Sequence, residues 1–131
     1  MEASDYRILI VDDDPAITDL LASYLASQGY FCETATNGRT ALEMVVCRHF
    51  DIAITDVVMA GMDGIALTKQ LSRQFPNLLI MVMSGYYDVK TTESAFAAGA
   101  HEFIRKPFTL AELDMCFQRM IQNKTKHKEG L

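Results

Sequence analysis

The chain has 131 residues, half of them hydrophobic, and its 17 acidic residues outnumber its 12 lysines and arginines for a formal net charge of −5. This length suits one domain with its own core, and the acidic balance argues against a nucleic-acid binder that neutralises phosphates with a basic surface. The N-terminal MEASDYR lacks the apolar core of a signal peptide and no apolar run could span a bilayer, so we expect a cytoplasmic protein without membrane contact.

The first predicted strand and helix occupy the N-terminal quarter of the chain. YRILIV is rich in β-branched residues and predicts a strand, and DPAITDLLASYLASQG follows it with helical periodicity. Asp14 and Pro15 are the predicted cap and first turn, and Gly29 ends the helix. The apolar residues of this helix fall on one predicted face: Ile17, Leu20, Leu21 and Leu25.

The same alternation continues through the rest of the chain. Predicted strands are YFCETA, DIAIT, LLIMVMS and HEFIR. Predicted helices are NGRTALEMVVCRH, with Ala41, Leu42, Val45 and Val46 on one face, then DGIALTKQLSRQF, DVKTTESAFAAGA and TLAELDMCFQRMIQ. Strand and helix alternating five times predict an α/β domain over residues 1–123, with a five-stranded parallel sheet and helices on both faces, a doubly wound (βα)5 fold of the flavodoxin-like type. The polar residues 124–131 are predicted to be a tail or linker stub.

Cysteine and histidine do not suggest a metal or redox centre. Cys32, Cys47 and Cys116 lack metal-ligand spacing and sit in apolar contexts, so we expect buried, reduced thiols. His49 and His101 are isolated from each other and from the carboxylates in sequence, which favours structural or exposed side chains.

Polar side chains collect where the predicted strands end. Asp12 and Asp13 follow the first strand, Asp56 the third, Ser84 the fourth and Lys106 the fifth. In a doubly wound sheet ligands bind outside the carboxyl ends of the strands, so these groups should share one edge. Crowded carboxylates repel each other unless a hard divalent cation neutralises them, and Mg²⁺ prefers such oxygen ligands. The sequence therefore predicts a magnesium site at this edge.

This constellation resembles the receiver domain of two-component response regulators, and the resemblance covers about Tyr6 to Gln122. The motifs that carry it are, in order, VDD (11–13), TD (55–56), MDG (62–64), MSG (83–85) and FIRKPF (103–108). One departure is Ala60, where the family commonly has proline after the methionine. Without that φ restraint we expect a looser loop after Asp56.

The resemblance implies a role for each site residue. Asp56 matches the phospho-acceptor, which attacks phosphorus as a carboxylate nucleophile. Asp12 and Asp13 match the acid pair that holds Mg²⁺, Asp13 the more directly, together with Asp56 and the backbone carbonyl of Val58. Lys106 and Ser84 match the lysine and hydroxyl that contact the phosphoryl group. Phe103 matches the switch aromatic, and Ser84 belongs to the same switch.

The resemblance also implies partners and a local geometry. A histidine kinase or phosphotransfer protein would donate the phosphoryl group, and an output domain or target protein would receive the signal. The face formed by the fourth helix, fifth strand and fifth helix would change and could form a homodimer. The Lys106–Pro107 peptide is expected to be cis, a conformation that X–Pro bonds tolerate.

Two other functions fit part of the pattern. A Mg²⁺-dependent aspartyl-phosphate phosphatase usually carries a second aspartate two residues after its nucleophile, and Val58 stands there instead. A pseudo-receiver that binds partners without taking phosphate is disfavoured by the complete set of acidic, hydroxyl and lysine residues. We therefore expect a signalling switch that catalyses only its own phosphoryl transfer and hydrolysis. Phe103 also fits a purely structural role as a core aromatic.

Overall fold

The computed structural model of the chain describes residues 5–85 and 88–129, with side chains described as far as Lys124. Within these residues five strands alternate with five helices. They are β1 (Arg7–Val11), α1 (Pro15–Ser27), β2 (Phe31–Ala35), α2 (Gly38–Cys47), β3 (Ile52–Asp56), α3 (Gly64–Gln74), β4 (Leu79–Ser84), α4 (Val89–Ala98), β5 (Glu102–Arg105) and α5 (Leu110–Glu129).

Short polar side chains set where the first four helices begin. Asp14, Asn37, Asp63 and Asp88 are the N-caps of α1 to α4, and each side chain accepts a hydrogen bond from a backbone N–H in the first turn. This bond satisfies one of the amides that have no partner inside the helix. Gly99 ends α4 with a φ of 117°, a left-handed conformation that glycine adopts without strain. The predicted cap at Asp14 is confirmed.

All five strands are parallel and lie in the order β2-β1-β3-β4-β5. The predicted five-stranded parallel sheet with helices on both faces is confirmed, and this order is the flavodoxin-like one. The connections reverse direction between β1 and β3, so a crevice opens outside the carboxyl ends of these two strands.

Each face of the sheet has its own apolar core. On one face α1 and α5 contribute Leu21, Leu25, Leu113 and Phe117 to a cluster with the isoleucines of β1 and β3. On the other face α2, α3 and α4 pack on the alternate strand residues, with Leu67 and Leu71 of α3 fully buried. The strands β3 and β4 are buried along their whole length, as expected for central strands covered on both sides.

Three apolar residues lie on the outside, contrary to the sequence-based expectation. Leu20 is 57% exposed and Val46 63% exposed, and the thiol-bearing Cys47 is exposed as well. Helix geometry explains this, because successive residues are turned by about 100° around the axis. Leu21 and Val45 point inward, so the neighbouring positions are carried away from the core. Cys32 is half-buried, and only Cys116 of the three free thiols is buried.

The last helix is longer than the sequence predicted. It runs to Glu129, past the expected end near Gln122. Lysine, glutamine and glutamate favour helices, and neither glycine nor proline interrupts the segment before Gly130. The backbone of residues 124–129 is therefore helical, and the division into a domain and a tail at residue 123 stays a prediction. Among the described helices none combines the length and apolar character needed to cross a membrane.

Candidate functional site

Three carboxylates meet in the crevice between β1 and β3. Asp12 and Asp13 follow β1, Asp56 is the last residue of β3, and one oxygen from each lies within 4.8 Å of the others. Asp12 and Asp56 are buried, whereas Asp13 is exposed. The parallel sheet brings these residues together because the carboxyl ends of adjacent strands lie at the same edge. The convergence predicted for the three aspartates is present in the structure.

Lys106 lies among these carboxylates, one residue past β5. Its Nζ is 2.8 Å from Oδ2 of Asp12 and 3.1 Å from Oδ1 of Asp56. Burial is the largest single influence on the pKa of Lys106 and lowers it, but the hydrogen bonds and charges of Asp12 and Asp56 together raise it above the ordinary value. Lys106 is thus held as a cation, although one cation faces three carboxylates.

The environment of Asp56 perturbs the pKa of its carboxyl group. Burial raises its pKa above the ordinary value, the negative charge of Asp12 adds to the increase, and the contact with Lys106 opposes it. A buried carboxylate with a perturbed pKa beside a lysine, in a crevice at a sheet edge, is typical of a functional site.

The two aspartates after β1 differ in their hydrogen bonds. Asp12 Oδ1 accepts from the backbone N–H of Asp14 at 3.0 Å, and its Oδ2 accepts from Lys106. Both oxygens of Asp12 are therefore engaged within the protein, while the carboxylate of Asp13 faces solvent beside the same cluster. Asp14 caps α1 through its own side chain, which confirms the separate role predicted for it.

The donor set fits a hard divalent cation. Carboxylate oxygens from Asp12, Asp13 and Asp56 lie within 4.8 Å, which suits a small ion that takes oxygen ligands from one or two carboxylates and from water. The negative charge also exceeds what Lys106 alone offsets. Val58, predicted to contribute its backbone carbonyl, lies two residues past β3, and its side chain is 52% exposed.

Glycine at position 64 is required by a contact that the sequence interpretation missed. A Cβ placed on Gly64 would lie 1.8 Å from the carbonyl oxygen of Asp56, far inside any permitted distance. The Gly64 N–H also donates to the carbonyl of Val57 at 2.9 Å. The start of α3 thus rests directly on the peptide that follows Asp56. The MDG motif at 62–64 was used only for the family resemblance, and the eight-residue separation between Asp56 and Gly64 gives no local signal of this contact.

Ser84 and Phe103 lie on the two strands beyond β3. Ser84 ends β4, is fully buried, and accepts a hydrogen bond through its backbone carbonyl from the N–H of Lys106 at 2.8 Å. Phe103 is half-buried on β5 and packs against the core cluster beneath α2, α3 and α4. This position fulfils a packing role, and the switching role of Ser84 and Phe103 stays a prediction.

The remaining sequence predictions concern the proline and the histidines. The Lys106–Pro107 peptide is cis, as predicted. Nε2 of His49 lies 2.9 Å from Oδ1 of Asp51, and Nδ1 of His101 accepts a hydrogen bond from the N–H of Ile80 at 3.1 Å. Both histidines make local contacts and neither belongs to the carboxylate cluster, as expected for structural or exposed side chains.

A groove lies beside β5, and its lining includes none of the three clustered aspartates. Val89 and Phe96 of α4 and Phe103 of β5 line it, together with polar and charged neighbours. Val89 and Phe96 are exposed, and so is Met115 on the adjoining α5. This face therefore presents apolar side chains to solvent.

Comparison with known proteins gives consistent matches. The family model described as "Response regulator receiver domain" matches residues 8–118. The regulatory protein AtoC of Escherichia coli strain K12 is 37% identical over 123 residues, which cover 94% of this chain and 27% of AtoC. The chain spans about a quarter of the length of the curated relatives AtoC and NtrC of E. coli.

Two solved structures agree with this chain in fold and are covered over nearly their whole length. The chemotaxis protein CheY4 of Vibrio cholerae superposes with a TM-score of 0.84 at 30% identity, covering 88% of this chain and 98% of that protein. The response regulator protein TrrA of Thermotoga maritima, solved in complex with Mg²⁺ and BeF, gives a TM-score of 0.80 at 30% identity, with coverage of 88% and 98%.

Proposed function

Because the chain belongs to the response regulator receiver domain family, whose members are signalling switches of two-component systems, we propose that Asp56 is its phospho-acceptor. The observation that carries this proposal is the cluster of Asp12, Asp13, Asp56 and Lys106 at the switch point of the sheet. Asp56 is buried at the end of β3, its pKa is raised by that burial, and its carboxylate contacts Lys106.

The proposed reaction is a single phosphoryl transfer. A carboxylate oxygen of Asp56 attacks the phosphorus of a phosphohistidine, the P–N bond breaks, and the imidazole nitrogen keeps the electron pair. Lys106 offsets the negative charge that develops on the phosphoryl oxygens. Its salt bridge to Asp12 holds the ammonium group at the site beforehand. The hydroxyl of Ser84 is proposed to contact the phosphoryl group once it is in place.

Mg²⁺ is the proposed cofactor, and TrrA, a relative of the same fold, was solved with it. Asp12, Asp13 and Asp56, with the Val58 carbonyl, are the proposed groups that hold it. When bound, the ion supplies positive charge that stabilises the transferring phosphoryl group. We propose Asp13 as the more direct ligand, because both oxygens of Asp12 already accept hydrogen bonds inside the protein.

The proposed partners follow from the same reaction. A histidine kinase or phosphotransfer protein in the cytoplasm would supply the phosphoryl group. The output would pass through the face of α4, β5 and α5 to an output domain, a separate target or a second copy of the chain. The exposed apolar side chains of Val89, Phe96 and Met115 on that face support this assignment. The domain is proposed to act on no substrate beyond its own phosphoryl group.

A labelling experiment tests the phospho-acceptor. With acetyl phosphate and Mg²⁺, intact-mass measurement should show one added phosphoryl group on the parent and none after chelation of the metal. Asp56→Asn should remain unlabelled because an amide is a poor nucleophile, while the control Asp51→Asn, at the opposite edge of the sheet, should label as the parent does. Labelling of Asp56→Asn at the parent's level would contradict the assignment.

A further inference from the structure

Thr55, the residue before Asp56, has a hydroxyl that contacts the site's backbone. The side chain is fully buried, and Oγ1 donates to the carbonyl oxygen of Asp56 at 3.0 Å. Buried threonine hydroxyls usually find a nearby carbonyl, so the bond alone is ordinary. Its position at the residue that carries the proposed nucleophile makes it informative.

At Asp56 the central strand β3 is paired with β4 but no longer with β1. The register between β1 and β3 ends at Val11 with Thr55, while the register between β3 and β4 continues to Asp56 with Met83. A residue paired on one side has fewer restraints than one held by two neighbouring strands. The direction of the Asp56 carboxylate therefore depends on additional contacts at this strand end.

Those contacts surround the peptide that follows Asp56. The N–H of Val57 donates to the carbonyl of Met83 at 3.0 Å, and the carbonyl of Val57 accepts from Gly64 at 2.9 Å. The carbonyl of Asp56 lies against Gly64 on one side and accepts the Thr55 hydroxyl. In this set the Thr55 bond is made by a side chain, so substitution can remove it and leave the backbone bonds in place.

We infer that Thr55 is a positioning residue for the proposed phosphoryl transfer: its hydroxyl fixes the peptide plane after Asp56, and through it the carboxylate of Asp56 and the chain leading to Val58. The inference rests on the proposed function, because those two positions are the proposed nucleophile and metal ligands. Reacting groups need to be held within a fraction of an ångström, so loosening this plane should weaken both metal binding and transfer.

The test compares variants with and without the hydroxyl in the full chain. Thr55→Val keeps the shape and branching but not the hydroxyl, Thr55→Ala is a second hydroxyl-free variant, and Thr55→Ser keeps the donor. Thr18→Val is the matched control, since the buried Thr18 hydroxyl also donates to a backbone carbonyl, that of Pro15. Each protein is measured for Mg²⁺ affinity by calorimetry, for labelling rate with acetyl phosphate, and for free energy of unfolding.

The expected result separates positioning from packing. Thr55→Val and Thr55→Ala should weaken Mg²⁺ binding and slow labelling by about fivefold, the scale of one net hydrogen bond, while Thr55→Ser and Thr18→Val stay close to the parent. If the hydroxyl-free variants lost stability but kept the parent's affinity and rate, the positioning role would be wrong. A parent that failed to label would instead contradict the proposed function, and the Mg²⁺ titration would still decide the role of Thr55.

Discussion

The two edges of the sheet hold carboxylates in opposite ways. At the edge where the strands begin, Asp51 accepts the N–H of Arg7 at 2.8 Å with one oxygen and contacts His49 at 2.9 Å with the other. At the edge where the strands end, the carboxylates of Asp12, Asp13 and Asp56 lie within 4.8 Å of one another, and Lys106 contacts those of Asp12 and Asp56. Both oxygens of Asp51 are thus engaged by neighbouring groups, whereas the second edge brings three carboxylates together beside Lys106.

The two edges also differ in what their carboxylates do for the stability of the fold. Asp51 also joins three strands through its backbone, donating to the Arg7 carbonyl and accepting from Leu79. Asp56 is buried beside Asp12, which raises its pKa and makes its ionised form costly. Buried charges without full compensation destabilise a fold, so they persist where a ligand or a reaction needs them.

The largest expected effect comes from the close approach of Gly64 to the carbonyl of Asp56, at the edge that holds the three carboxylates. Gly64→Ala would place a Cβ 1.8 Å from the Asp56 carbonyl oxygen, so β3 and α3 must separate. We expect the free energy of unfolding to fall by about 3 kcal/mol, the upper range for overpacking, as measured by urea denaturation. The control is Gly85→Ala, where no described atom lies within 4 Å of the added Cβ. Equal stability of the two variants would contradict the close approach.

Metal binding should distinguish two adjacent aspartates, Asp13 and Asp14. Asp13→Asn should weaken Mg²⁺ binding by about tenfold or more, because a unit charge near a divalent ion is worth several kcal/mol at a protein's effective dielectric. Asp14→Asn should change little, since asparagine caps α1 as well as aspartate does. Calorimetric titration measures both. A larger loss from Asp14→Asn than from Asp13→Asn would reverse the assignment.

The same substitution should change stability in opposite directions at the two edges. Asp51→Asn should lower the free energy of unfolding by about 1 kcal/mol, because it weakens charge-assisted bonds to Arg7 and His49. Asp56→Asn should raise it in magnesium-free buffer at neutral pH. Burial raises the pKa of Asp56, so stability from this group is lost as pH rises through that pKa, and the amide avoids the loss.

Denaturation of both variants near pH 7 and again below pH 4 provides the check. At the lower pH a larger share of the Asp56 carboxyl groups is protonated, because the pKa of Asp56 is raised, so the advantage of Asp56→Asn should shrink. A destabilised Asp56→Asn protein at neutral pH would mean that Lys106 compensates the buried charge in full.

For the edge where the strands end, the sequence predicted which residues meet there better than it predicted their contacts. A parallel sheet brings the ends of its strands to one edge. The position of Asp12, Asp13, Asp56 and Lys106 at or after strand ends was therefore enough to predict that they converge. The Gly64 contact and the Thr55 bond depend on distances of a few tenths of an ångström, which residue patterns do not encode. Leu20 and Val46 are only about 100° around the helix axis from their buried neighbours Leu21 and Val45. Helical periodicity is too coarse to tell such neighbouring positions apart. The end of α5 was missed because a polar segment can still be helical.

The smallest expected effect lies at the edge where the strands begin, at His101. Nδ1 of His101 accepts a hydrogen bond from the N–H of Ile80. Protonation of Nδ1 would turn it into a second donor that faces the Ile80 N–H, and the bond would be lost. Burial, and to a lesser degree the charge of Lys124, lowers the pKa of His101. A depressed pKa means that the contribution of His101 to stability is present above its unfolded pKa, about 6.5, and is lost as pH falls through the folded value. The parent should therefore lose stability between pH 7 and pH 5, and His101→Gln, whose side-chain oxygen can accept the same bond without titrating, should lose less. Thermal unfolding across this range measures the difference, and parallel pH profiles for the two proteins would show that the Ile80 bond does not depend on the charge of this ring.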